Sequence, residues 1–325
     1  MRRREFILGL GSAVFGSVAA RAQKSPVPVI GFLSGRSRED SLEQVKAFHR
    51  GLAERGFDGT NVSIEFRWAN GRYEQLSALA TELVNRGVAV IAAVGGGNSG
   101  LAAKSATSSI PIVFASGGDA VKIGLVPSLA RPGANVTGVN IIFGALGAKR
   151  LELLHELVPT ATTVAMLVNP SYASAPTEVQ DVENAGRVLG IRIGVFHAAT
   201  AMEIEPAFRR LANEKPGGLL IADDPFLQSE RQQLVRLAER HSIPAIYFSR
   251  DFVDDGGLIS YGPNLVDAYR LVGVYTGRIL QGDNPAEMPV VQPAKFQTVI
   301  NLKVAKALGL SLAQSILLRA DEVIE

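Results

Sequence analysis

Val88-Ala89-Val90-Ile91-Ala92-Ala93-Val94-Gly95-Gly96-Gly97-Asn98-Ser99-Gly100 is the stretch on which the architecture turns. Residues 88–94 are continuously apolar, as a strand must be when both of its faces are covered, and such strands belong to parallel sheets. A glycine-rich turn follows and opens a helix over about 99–106. Working outward, 112–115 reads as the next strand. Upstream, 62–66 is a strand followed by a helix with Leu76, Leu79, Ala80, Leu83 and Val84 on one side. Before that lies a strand over 27–33, then a helix whose face is Leu42, Val45, Phe48 and Leu52, three or four residues apart. Strand, helix and strand repeated in this way demand a parallel sheet with right-handed crossovers.

The pattern then restarts. A helix over 148–158 is ended by Pro159, and strands at 163–168, 191–197, 218–222 and 245–248 alternate with helices near 177–189, 202–213 and 228–240. A chain of 325 residues is too long for one ordinary domain, and two α/β units of about 150 residues account for it. The predicted class is therefore α/β, two doubly wound parallel-sheet lobes. The segments 256–261, 265–280 and 298–308 fit neither unit neatly, as expected of a chain that passes between lobes more than once.

Arg2, Arg3 and Arg4 precede an apolar run over 6–20 and then Ala20-Arg21-Ala22, which reads as a signal peptide over residues 1–22. Arg3-Arg4-Glu5-Phe6-Ile7-Leu8 has the twin-arginine arrangement. The expectation is a soluble protein exported to the periplasm. The chain contains no cysteine, which excludes disulfides, thiolate catalysis, iron–sulfur clusters and lipidation on an N-terminal cysteine. Formal charge is +2, but removing Arg2, Arg3, Arg4, Arg21 and Glu5 from the 33 basic and 31 acidic residues leaves 29 and 30. No basic stripe remains for a nucleic acid to follow.

In parallel α/β sheets, ligands bind beyond the carboxyl ends of the strands, where helix N-termini converge. The residues placed there are Ser34 and Gly35; Gly97, Asn98 and Ser99; Ser116 and Asp119; Asn169; Asp223; and Ser249. They are small, hydroxylic, amide or acidic, as a site for a small polar ligand requires. Of the adjacent Asp223 and Asp224, one is expected to face the cleft and the other to cap the next helix. Phe143 and Tyr172 are candidates to cover an apolar part of the ligand. His49, His155, His197 and His241 have no metal-ligand spacing, and no G-x-S-x-G elbow exists, so neither catalytic nor metal residues are assigned and no cofactor is expected. A competing reading takes Gly95-Gly96-Gly97-Asn98-Ser99-Gly100, with Asp119 about 20 residues on, as a dinucleotide fingerprint of an exported NAD(P)-dependent oxidoreductase.

Several segments in fixed order carry a family resemblance. They are Val29-Ile30-Gly31-Phe32-Leu33-Ser34, Pro111-Ile112-Val113-Phe114-Ala115, Gly118-Asp119-Ala120-Val121-Lys122-Ile123-Gly124-Leu125-Val126 and Arg131-Pro132-Gly133-Ala134-Asn135-Val136-Thr137-Gly138-Val139. Lys149-Arg150-Leu151-Glu152-Leu153-Leu154, Val168-Asn169-Pro170 and Val299-Ile300-Asn301-Leu302-Lys303-Val304-Ala305-Lys306-Ala307-Leu308-Gly309 continue the series. Together they resemble the substrate-binding proteins of ABC importers, tryptophan/tyrosine type, with Ala120 where the family has proline. The resemblance implies a type I periplasmic-binding-protein fold with a multi-crossover hinge. Lobe 1 would be 27–142 plus 256–284, and lobe 2 would be 143–255 plus 285–325. It further implies a monomeric, non-enzymatic receptor that closes on an amino acid or related compound and passes it to a membrane permease.

Overall fold

The computed structural model describes residues 27–141, 144–293 and 295–325. The expected signal segment and Phe143 lie outside the described residues. The first sheet contains β1 (Val29–Ser34), β2 (Ser63–Trp68), β3 (Val90–Val94), β4 (Ile112–Ser116) and β5 (Val136–Asn140). Their order is β2-β1-β3-β4-β5 and every pairing is parallel. Each residue of β3, β4 and β5 is buried, as the unbroken apolar run over 88–94 requires for its strand. Helices α1 (Leu42–Ala53), α2 (Leu76–Asn85) and α3 (Gly97–Ala106) form the crossovers.

The second unit begins with α4 (Gly144–Leu157) and continues β6 (Thr163–Val168), α5 (Ala175–Leu189), β7 (Arg192–His197), α6 (Ala201–Asn213) and β8 (Gly218–Ile221). Next come α7 (Pro225–Ser229), α8 (Arg231–Arg240), β9 (Ala245–Tyr247), α9 (Arg250–Asp254) and β10 (Ile259–Pro263). The long α10 (Leu265–Leu280) precedes β11 (Phe296–Asn301), α11 (Leu302–Ala307), α12 (Gln314–Arg319) and β12 (Glu322–Ile324). The second sheet is ordered β12-β11-β10-β9-β8-β6-β7. Among the described residues only β10 and β11 pair antiparallel, because the chain leaves this lobe after β10 and re-enters it from the other side of the hinge.

The crossings shift the expected lobe boundaries. Residues 256–263 were expected in lobe 1, yet β10 pairs with β9 and β11 and lies in the second sheet. Conversely, residues around 286–291, expected in lobe 2, lie against lobe 1. Val291 bridges Val139, and the Thr137 hydroxyl donates to Met288 O at 2.7 Å. Helix α10 belongs to lobe 1. Its Ala268, Val272, Thr276 and Ile279 recur at helical spacing and are buried where it crosses α1 and covers β3, β4 and β5.

Candidate functional site

The rims formed beyond β1, β3 and β4 face those beyond β6, β8 and β9, and the two meet. The Tyr73 hydroxyl from lobe 1 donates to Asp224 Oδ2 at 2.7 Å and accepts from Phe226 N–H at 3.1 Å. Asn98, at the start of α3, donates to Ser171 O at 3.0 Å and accepts from Ala173 N–H at 2.9 Å. Arg231 on α8 pairs with Asp40 of lobe 1. The approach is close enough to need glycines. A Cβ on Gly96 would lie 2.9 Å from Tyr172 Cε2, and one on Gly118 would lie 1.8 Å from Ser174 Oγ. This is a closed arrangement of two lobes.

Between the rims lies a narrow cavity of about 30 Å³. Arg36, Gly95, Gly96 and Gly117 line it from the loops of lobe 1, with Ala115 from the end of β4 and Tyr269 from α10. Tyr172, Asp223, Pro225 and Phe248 line it from lobe 2. A mainly apolar wall with few polar groups is the usual composition of a small-molecule site. The cavity continues past Gly117 and Asp223 into an outer groove of about 490 Å³ between Asp119, Lys122 and the exposed side of α5.

Asp223 is the most unusual group here. It is 7% exposed, and among the described residues nothing donates a hydrogen bond to its carboxylate. Its backbone N–H is held by Glu178 Oε2 at 3.1 Å, and Glu178 in turn accepts from Arg150 Nη2 at 2.6 Å. Arg150 is fully buried, and its Nε and Nη1 have no partner among the described residues. Burial pushes the Asp223 carboxyl well above its ordinary range, and the Glu178 charge pushes the same way, while Arg150 and Arg36 oppose. A buried carboxylate without a donor is costly. Its neighbour Asp224 behaves as a cap, accepting from Leu227 N–H at 2.7 Å and from Asn169 Nδ2 at 3.2 Å.

Of the residues singled out in the sequence, Tyr172 and Asp223 border the inner cavity, and Asp119 borders the outer groove. Ser99 is buried near the inner rim and its hydroxyl has no partner among the described residues. Others are occupied by the protein itself. Ser34 Oγ accepts from Arg36 N–H, Ser116 Oγ donates to Gly118 O, and Ser249 Oγ caps α9 by accepting from Asp251 N–H. Asn169 Oδ1 accepts from Ser171 N–H, and Asn98 spans the lobes. Gly35 is buried just after β1 and Gly97 opens α3; a Cβ on Gly35 would meet Gly95 O at 2.5 Å, and one on Gly97 would meet Ile123 Cδ1 at 2.6 Å. Sequence reasoning missed Arg36, Tyr73, Arg150, Glu178 and Tyr269. Arg36 stands two residues past β1 and was within reach of the strand-end rule, whereas Tyr269 lies on a crossover helix and Arg150 and Glu178 lie behind the rim.

The comparisons with known proteins agree with this geometry. The family model for ABC transporter substrate binding proteins matches residues 26–324. The chain belongs to that family. This substrate-binding protein is 26% identical over 272 residues to the tyrosine-binding protein of Clostridioides difficile (strain R20291), covering 83% of this chain and 78% of that one. Its fold superposes with a TM-score of 0.84 on an ABC domain from Streptococcus pneumoniae in complex with L-Trp, at 26% identity over 91% of this chain and 99% of that one. For the ligand-free, open structure of a substrate-binding protein with adhesive properties from Clostridium difficile, the TM-score is 0.66 at 25% identity, covering 92% and 99%. The lower score against an open relative accords with the lobe-to-lobe contacts described above. The oxidoreductase reading finds no support, and the glycines at 95–97 have another reason to be there: Gly96 faces Tyr172 and Pro225 of the opposite lobe. Among the described residues, no helix is long and apolar enough to cross a membrane.

Proposed function

We propose that this substrate-binding protein is a non-catalytic periplasmic receptor for an aromatic L-amino acid, exported by the twin-arginine route through residues 1–22 and working as a monomer with an inner-membrane ABC permease. The observation that carries the ligand class is the buried Asp223 carboxylate, which borders the cavity and, among the described residues, lacks a hydrogen-bond donor. An ammonium group supplies that donor and restores the ionised form that burial disfavours. Tyr172, Phe248 and Tyr269 give the cavity wall ring surface, against which an aromatic side chain packs once the lobes part enough to admit it. The relatives that bind tyrosine and L-Trp support the same class.

The mechanism is hinge closure. With the lobes apart, Asp223 and the Gly95–Gly97 rim lie on different bodies; a ligand touching both favours the closed state by the amount that it binds that state better. Reopening against the permease returns the amino acid unchanged. Calorimetric titration of the purified protein with the standard amino acids tests this. Saturable binding of tryptophan or tyrosine, compaction in small-angle scattering and recovery of intact ligand are expected. Chemical conversion of the ligand, or binding by none of the amino acids, would refute it.

A further inference from the structure

Arg36 is only 4% exposed, and a guanidinium so buried ordinarily spends its donors on the protein. Here Nη2 donates to Asp40 O at 3.0 Å, while Nε is buried without a partner and Nη1 makes no hydrogen bond among the described residues. Asp40, whose backbone oxygen takes that bond, does not neutralise it through its side chain. The Asp40 carboxylate accepts from Ser37 and pairs with Arg231 of the other lobe. Arg36 borders the same cavity as Asp223. The two lobes thus bring a cation and an anion to one small space, one from each side.

Of the hydroxyls at the strand ends, Ser116 donates to Gly118 O, Ser34 accepts from Arg36 N–H and Ser99 has no partner among the described residues, but none of the three borders the inner cavity. The guanidinium is the one full positive charge on the inner cavity wall among the described residues. Resting on the receptor reading above, we infer that Arg36 is the carboxylate-binding group of lobe 1, and that its opposition to Asp223 restricts the cavity to free zwitterionic amino acids. The α-carboxylate takes the spare donors of Arg36, and the α-ammonium takes Asp223. A ligand whose carboxyl is amidated, esterified or extended as a peptide leaves Arg36 desolvated and unpaired, which is the costly outcome. Because each charge sits on a different lobe, only a ligand carrying both signs neutralises the closed cavity. Selectivity for the free amino acid and closure are then one event.

The test compares L-tryptophan with L-tryptophanamide, which keeps the ring and the amine and lacks the carboxylate; L-tyrosine and its amide serve if tyrosine is the tighter ligand. For the unaltered protein the free acid is expected to bind at least about 30-fold more tightly than the amide, the lower end for an unpaired buried charge. In Arg36→Gln the free acid weakens while the amide changes little, so the ratio falls to within about threefold. Arg36→Lys keeps the charge and retains part of the preference. Equal binding of acid and amide by the unaltered protein overturns the inference without any variant having to fold. So does an unchanged ratio in a folded Arg36→Gln, or a ratio abolished equally by Lys and Gln. If the unaltered protein binds neither tryptophan nor tyrosine, it is the receptor reading that fails, and the inference falls with it.

Discussion

Replacing Tyr73 with phenylalanine removes one oxygen atom that does all its bonding across the cleft. The hydroxyl donates to Asp224 Oδ2 at 2.7 Å and accepts from Phe226 N–H at 3.1 Å, both groups belonging to the opposite lobe. When the lobes part, these three groups return to water, so the substitution acts on the closed state and leaves the open one nearly untouched. A hydrogen bond to a charged acceptor is worth about 1.5–3 kcal/mol, and the stranded Phe226 N–H adds a desolvation penalty of about 1 kcal/mol or more. Part of this is offset because the buried phenyl ring no longer carries a polar atom. A net loss of about 2–3 kcal/mol from closure corresponds to an affinity about 30- to 150-fold lower. Titration calorimetry at pH 7.5 with the amino acid identified in the screen measures it. Scattering should show a larger fraction of open molecules at subsaturating ligand, while the ligand-free melting temperature stays close to that of the unaltered protein. Tyr73 does not border the inner cavity, so an affinity within threefold of the original would refute the view that the cleft contacts contribute to closure.

Three further outcomes follow from the same geometry. Gly118→Ala places a Cβ 1.8 Å from Ser174 Oγ of the other lobe, so binding should weaken by at least tenfold with lobe 1 still folded, and adding Ser174→Gly should restore it; failure of that rescue in calorimetry would count against a steric cause. Arg150→Met leaves Glu178 buried and uncompensated beside Asp223, and denaturant unfolding should show a loss of about 3–5 kcal/mol, most of it recovered when Glu178→Leu is added. Burial pushes the Asp224 carboxyl up to about 6, so between about pH 4 and 6 the native chain holds a proton that the unfolded chain has released. Stability from this group is therefore full below pH 4 and declines as pH rises through 6, by about 3 kcal/mol in all. Unfolding curves across that range should converge on, and then fall below, those of Asp224→Asn; parallel curves would contradict the assignment.

The run over 88–94 sufficed to declare a parallel sheet, because a strand with no polar face can be satisfied only by cover on both sides. The helix faces holding Phe48 and Leu52 and holding Leu76, Ala80 and Leu83 followed from spacing alone, since a helix has to hide an apolar stripe, but Leu42, expected on the first of them, is 55% exposed because it opens its helix at the edge of the core. The split between Asp223 and Asp224 was legible for a similar local reason: adjacent residues at a strand end point apart, and one of them meets the free N–H groups of the next helix. What the sequence withheld was everything that depends on two distant segments meeting. The membership of β10 and of residues 286–291 is set by hydrogen bonds between strands far apart in the chain, and local periodicity carries no information about that choice. Asn98 looks like a ligand residue at a helix start, and only the approach of the second lobe shows that its amide is taken by Ser171 and Ala173. Arg36, Glu178 and Arg150 acquire meaning the same way. A charge reads as an ordinary surface residue in sequence, and becomes a functional group when folding removes its water and leaves it a single facing partner.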